Sequence, residues 1–213
     1  IGGAVSSTAT TISYARLSQG RADHVAMSAL VIGIASSVVY FRVLAEMAIV
    51  SLPLLQSALV PIVGMALLSF PLLWLTFRQT FQKPPSSTEP INPTNLWSAM
   101  AFAGIYILIL FGMAFAKEQL GNEGTWLVAA LSGITDIDAV TLSSGRLVAS
   151  DRLNAENGSL SVVIALVSNL IAKIIIGWIL GGAALARRLL LLFAGPMIGG
   201  VSLAVWAIET TSG

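Results

Sequence analysis

The side chains with chemistry to offer are few, and an apolar chain makes them conspicuous. Thr135-Asp136-Ile137-Asp138 places two carboxylates two residues apart in a stretch, Thr125–Ser150, that begins apolar as WLVAAL and turns polar at SGITDID. A charge at mid-membrane costs at least ~3 kcal/mol, so such a group must be paired, solvated or set along a pathway. On a continuous helix, residues two apart point about 200° apart. Asp136 would then share a face with Ser143 and Arg146, and Asp138 with Thr141. A break at Ser132-Gly133 would instead let both carboxylates and the freed backbone carbonyls line one cavity. Discontinuous transporter helices gather oxygen ligands for cations in this way. The alternative is a re-entrant or cytoplasmic loop with solvated aspartates.

Three further places carry polar chemistry. Ser6-Ser7-Thr8-Ala9-Thr10-Thr11 sets hydroxyls around nearly every side of a short helix. That pattern suits the lining of a pore or cavity, although membrane-helix hydroxyls also serve packing alone. Lys173 falls near the middle of the apolar run Leu160–Ala184, one turn after Asn169, too deep to snorkel easily. Its expected partner is Asp136 or Asp138, in either a stabilising or a coupling role. Arg42 and Glu46 are spaced i,i+4 and can pair on one helix face, which favours a structural role for them. The ion-binding or pathway candidates are therefore Ser6, Ser7, Thr8, Thr10, Thr11, Thr135, Asp136, Asp138, Thr141, Ser143, Asn169 and Lys173, with Arg42 and Glu46 as an intramembrane pair.

Other chemistries find little support. The chain has no cysteine and one histidine, His24, beside Arg21 and Asp23 in a polar stretch, whereas metal ligands come in clusters. The identity of any metal is left open. No phosphate loop or nucleotide fingerprint is present, and no cofactor is expected. An intramembrane aspartyl hydrolase would want two carboxylates converging from different helices, and here both lie on one segment. No enzyme activity is expected. A net charge of +1 gives no basic stripe for nucleic acid.

The elements that must position these groups are membrane spans. Of 213 residues 56% are hydrophobic and 10% charged, with a mean hydropathy of +0.87, against roughly 25% charged in soluble domains. Spans need about 20 apolar residues, and five are clear: Val25–Leu52, Leu54–Phe77, Leu96–Ala116, Leu160–Ala184 and Leu189–Ile208. Thr125–Ser150 is a sixth, polar in its second part, and Gly2–Leu17 has the same polar character. No signal peptide is evident. The predicted class is an all-α polytopic bundle in a lipid bilayer, broken at its polar motifs. The Gly-Gly pairs and small-residue runs are expected at close helix contacts, and Pro61 and Pro196 are expected to kink their helices.

The chain also repeats. GAVSSTATTISYARL (Gly3–Leu17) aligns with GITDIDAVTLSSGRL (Gly133–Leu147) 130 positions on, with Gly3/Gly133, Ala9/Ala139, Thr11/Thr141, Ser13/Ser143, Arg16/Arg146 and Leu17/Leu147 identical. SSVVYFR meets VSNLIAK 131 positions on, setting Arg42 against Lys173, and PIVG at Pro61 meets PMIG at Pro196 after 135. The repeats are residues 1–80 and 95–213 of one transmembrane domain. Four spans per unit would leave both in one orientation, a parallel repeat. Arg16, Arg21, Arg78, Lys83, Arg146 and Arg152 would then share a side against Lys117, Arg187 and Arg188. The positive-inside rule makes loops 18–24, 78–94 and 148–158 cytoplasmic. Nothing before Gly3 matches what precedes Gly133, and the chain opens on Ile1, so a preceding portion of at least one and a half passes is expected.

GGAVSSTATTISYAR, SSVVYFRVL and SGITDIDAVTLS together resemble a bacterial membrane domain of unknown function found C-terminal to MgtC/SapB-type domains. The resemblance implies a bacterial inner membrane and an MgtC/SapB-like domain ahead of this one in the full-length chain. It implies no substrate or catalytic residue. Transport or channel conduction of a small ion, a cation, is the leading expectation. The alternative is a non-transporting regulatory or assembly module, and a homo-oligomer is compatible with either.

Overall fold

The computed structural model describes residues 7–80 and 123–211, with a few single positions between 111 and 121. Ser6, and the expected span Leu96–Ala116 apart from Phe111 and Phe115, lie outside the described residues. Six helices are complete: α1 Ser7–Ser18, α2 Val25–Val50, α3 Leu52–Thr80, α4 Ile137–Ala149, α5 Ala155–Gly181 and α6 Ala183–Thr211. Residues 123–133 are also helical. Element lengths repeat closely: 12, 26 and 29 residues in α1–α3 against 13, 27 and 29 in α4–α6.

Among the described residues four helices are long and apolar enough to cross a membrane: Val25–Val50, Leu52–Arg78, Ala155–Gly181 and Ala183–Ala207. Their outward faces carry Ile49, Phe41, Leu67, Phe70 and Ile198, all more than 60% exposed. A soluble protein rarely leaves so much contiguous apolar surface open, whereas lipid tails accept it. The chain is an all-helical membrane protein. Helices suit that solvent because every backbone donor finds its acceptor within the segment. Serine and threonine follow the same rule, as Ser36 Oγ donates to Ile32 O at 2.7 Å and Ser69 Oγ to Met65 O at 2.8 Å. α3 and α6 run on as helices through Pro61 and Pro196.

The described helices form two compact units. The first comprises Ile1–Tyr40, Met65–Pro93 and Leu170–Met197, and the second Phe41–Gly64, Thr94–Asn169 and Ile198–Gly213. In the first, α1 buries Ser7, Thr11, Ala15 and Ser18, positions recurring at one helical face. Its C-terminal end lies against Gly181, where an added Cβ would stand 2.6 Å from Ser18 Oγ and 3.0 Å from Ala15 O. The turn from α5 to α6 needs a left-handed residue, and Gly182 supplies it at φ +86. In the second unit Met47, Leu54, Ile62, Val162 and Val163 form a core with no exposed surface.

Candidate functional site

The second unit holds the acidic motif, and its geometry begins with a break. The helical stretch ends at Gly133, and Ile134 and Thr135 form a turn closed by Thr135 N and Asp136 N, both donating to Ser132 O at 3.0 and 2.9 Å. A new helix, α4, starts at Ile137. Asp136 is its N-cap, extended at φ −151, ψ 111, with Oδ1 accepting from Ala139 N at 3.2 Å. A carboxylate there satisfies an orphan donor and meets the positive end of the helix, and Asp138 in the first turn adds to the same effect. The interruption expected at Ser132-Gly133 is present.

Glycine is required at the break. A Cβ on Gly133 would stand 2.5 Å from both Cα and O of Ala165, so the helix end presses directly on the α5 backbone. Helix ends leave carbonyls without partners, and here Asn169 Nδ2 donates to Gly133 O at 3.0 Å. The freed carbonyls expected to line a cavity are thereby spoken for. Ser132 O takes the turn amides and Gly133 O takes Asn169, because an unsatisfied carbonyl in an apolar interior is costly.

Arg42 organises the charges. Its Nη2 lies 2.7 Å from Asp138 Oδ1, while its Nε is 3.9 Å from Glu46 Oε1. The i,i+4 pair is thus the looser contact, and Arg42 serves mainly to hold α4 to α2. Glu46 lies within electrostatic reach of Asp138, Arg42 and Asp136 together. Among the described residues one guanidinium therefore faces three carboxylates. The side chains of Arg42, Glu46 and Asp138 are 29%, 19% and 22% exposed, so the cluster is neither sealed nor fully solvated. Glu46 Oε2, Ser143 Oγ, Ser144 Oγ and Asn169 Oδ1 are buried and make no hydrogen bond among the described residues. Thr141 Oγ1 donates to Ile137 O at 3.0 Å, the structural role open to any helix hydroxyl, and Thr135 is exposed. No group of three His, Cys, Asp or Glu side chains among the described residues is placed to hold a metal ion.

The first unit holds the remaining candidates. Ser7, Thr10 and Thr11 are buried and Thr8 is half-buried, with Thr11 Oγ1 donating to Ser7 O at 2.8 Å. Lys173 is 1% exposed, and its Nζ donates to Ser36 Oγ at 3.0 Å. The expected partner of Lys173 was Asp136 or Asp138, and the contact described for it is with Ser36. Arg42 reaches Asp138 within its own unit, and the lysine meets a hydroxyl. Ser36, Tyr40 and Ser69 were not singled out by the sequence, although they join Gly33, Ser37 and Leu73 around one tight crevice. The Ser-Ser pair within an apolar span was the available signal.

The family described as Domain of unknown function (DUF4010) matches residues 1–181. A protein of Aquifex aeolicus (strain VF5), described as uncharacterized, is 30% identical over 176 residues, covering 81% of this chain and 76% of its own. No solved structure matches.

Proposed function

We propose that this chain, which belongs to the DUF4010 family, moves a small cation across a bacterial inner membrane. The observation that supports this most is the charge balance at the broken helix. Arg42 can neutralise one of Glu46, Asp136 and Asp138, and Glu46 Oε2 is buried without a hydrogen bond among the described residues. Excess carboxylate in an apolar protein needs a compensating positive charge, and a passing cation supplies one. Ser143 Oγ, Ser144 Oγ and Asn169 Oδ1, in the same unit, are further oxygens with capacity left. A proton or a monovalent ion suits this arrangement better than a dehydrated divalent ion, which takes six or more oxygen ligands.

In this reading Glu46 is the ion-binding carboxylate, Arg42 sets its potential and the Asp136 cap fixes the helix break. Loops 18–24 and 78–94 face the cytoplasm, and an MgtC/SapB-type domain precedes this one in the full-length protein. The test is flux into proteoliposomes, run separately with a proton gradient, Na⁺, K⁺ and Mg²⁺. Flux of a monovalent species that is lost in Glu46→Gln, with the variant still folded, is expected. No flux of any cation would overturn the reading in favour of a regulatory or assembly module. Mg²⁺ flux alone would overturn the choice of a monovalent ion.

A further inference from the structure

We infer that the two repeats run in opposite directions through the membrane, an inverted repeat in place of the expected parallel one. The contacts at the ends of α5 carry this. Near its start, an added Cβ on Gly158 would lie 3.0 Å from Leu54 Cδ1, just past the turn that joins α2 to α3 at Ser51. At its finish, Gly181 lies against Ala15 O and Ser18 Oγ, immediately before the loop that leads into α2. The start of α5 therefore sits by the end of α2, and the end of α5 by the approach to the start of α2. Its equivalent helix in the other repeat runs antiparallel to it.

Three other contacts agree. α4 lies against the α2–α3 turn, since a Cβ on Gly145 would be 2.9 Å from Val50 Cγ1 and 3.8 Å from Leu54 Cδ2. Lys173, late in α5, meets Ser36, which lies in the first half of α2. Gly33, early in α2, faces Leu192, early in α6, and Leu73, late in α3. A parallel repeat would instead bring the beginnings of α2 and α5 together.

The consequence for topology is specific. A helix of 26 residues spans about 39 Å at 1.5 Å per residue, enough to place its two ends on opposite membrane faces. The α1–α2 loop and the α5–α6 turn then share one face, and the α2–α3 turn and the α4–α5 loop share the other. The charge rule does not separate the two arrangements. Among the described residues Arg16, Arg21, Arg78, Arg187 and Arg188 stand against Arg146 and Arg152 when the repeats are inverted, and five stand against two when they are parallel. Either way the side carrying Arg16, Arg21 and Arg78 is cytoplasmic. The 148–158 loop moves to the outer face. Inverted repeats, related by a pseudo-two-fold axis in the membrane plane, give a transporter two conformations, each open to one side, by exchanging the shapes of its halves. Here the exchanged positions are unlike, with Asp138 in one half where Thr8 stands in the other.

The chain lacks cysteine, so single cysteines can report sidedness without background. Gln19→Cys, Ala183→Cys, Leu52→Cys and Ser150→Cys would each be labelled in oriented vesicles with a membrane-impermeant maleimide, and total labelling measured with a permeant one. The expected result is that blocking one face abolishes labelling of Gln19→Cys and Ala183→Cys together, and blocking the other abolishes Leu52→Cys and Ser150→Cys. If Gln19→Cys instead groups with Ser150→Cys, and Leu52→Cys with Ala183→Cys, the repeat is parallel and the inference fails. Sidedness is read without any flux, so this result and the transport result stand or fall separately.

Discussion

Arg42 and Lys173 occupy matching places in the two repeats, 131 positions apart, yet each unit meets its cation differently. Arg42 draws a carboxylate from the start of α4, at 2.7 Å, and a second from its own helix at 3.9 Å. Lys173 takes a serine hydroxyl from α2. The two units also differ in overall charge. Among the described residues the first holds six Lys/Arg and one Asp, while the second holds three Arg and eight Asp/Glu. One backbone plan thus carries an acidic, partly open cluster in one unit and a buried hydroxyl–ammonium contact in the other. Guanidinium offers a planar fork suited to carboxylates, whereas an ammonium is a compact charge that accepts scattered oxygens. The partners do not follow the repeat: Asp138 stands where the first repeat has Thr8, while the hydroxyl that meets Lys173 comes from Ser36 on α2.

The steepest way to break the comparison is at Gly133. Its Cβ position is blocked by backbone atoms of Ala165, which cannot rotate away as a side chain would. Gly133→Ala should destabilise the detergent-solubilised protein by roughly 3 kcal/mol, the upper end for overpacking. Gly195→Ala in the other unit meets only Leu72 Cδ1 at 3.6 Å, an ordinary contact, and should leave the thermal midpoint nearly unchanged. Equal midpoints for the two variants would show that the broken helix does not dock on α5 as described.

Arg42→Met comes next. It strands Asp138 beside Glu46 and Asp136, and hydrogen bonds to charged groups are worth about 1.5–3 kcal/mol, so a loss near 2 kcal/mol is expected at this partly exposed site. Adding Asp138→Asn should restore much of it, a coupling that a double-mutant cycle reads directly. Zero coupling would mean that the 2.7 Å contact contributes nothing in the membrane protein.

Much of this was legible in the sequence, for identifiable reasons. The break at Ser132-Gly133 follows from a local change of polarity next to a residue without a side chain. The four long spans follow from runs of apolar residues, although the helices outlast them. α5 begins at Ala155, ahead of Leu160, and α6 at Ala183, ahead of Leu189, with Arg187 and Arg188 inside it. Hydropathy marks what lipid covers, while the helix continues into the interface wherever caps and backbone bonds allow. Pairings between distant segments were not legible. Ser36 and Lys173 are 137 positions apart, and nothing in the periodicity of either helix singles out the other. Arg42 offered a nearby partner in Glu46, which concealed the closer one on α4. The direction of the second repeat was not legible either, because it depends on counting spans in a part of the chain outside the described residues.

A smaller effect is expected at Asn169, whose amide bridges α5 to the end of the broken helix. Asn169→Leu leaves Gly133 O without its donor, and an unsatisfied buried carbonyl costs about 1–3 kcal/mol. Leucine regains part of that by apolar contact, so a net loss of about 1 kcal/mol is expected. Faster amide exchange at Thr135 and Asp136 should accompany it, since the turn loses the anchor beside it. Unchanged exchange there would assign the rigidity of the break to Ser132 O and the Asp136 cap alone.

The smallest effect should come from the buried hydroxyl–ammonium contact, and it sharpens the contrast between the two cations. Ser36 Oγ donates to Ile32 O on its own helix while it accepts from Lys173. Ser36→Ala removes both bonds. The loss of the first is nearly neutral, because the Ile32 carbonyl keeps its place in the backbone ladder and alanine is a better helix former than serine. The loss of the second deprives an ammonium of one oxygen, but Lys173 has a further interaction to fall back on, and its long stem can turn toward it. A decrease of about 0.5 kcal/mol, the low end of the net worth of a hydrogen bond, is therefore expected in thermal unfolding. Transport should survive, because the acidic cluster proposed to bind the cation lies in the other unit. A loss as large as that of Arg42→Met would mean that Ser36 is as essential to Lys173 as Asp138 is to Arg42. The two halves would then bind their cations with equal stringency in spite of their different oxygens, and the hydroxyl-lined half would have to be counted as part of the working site.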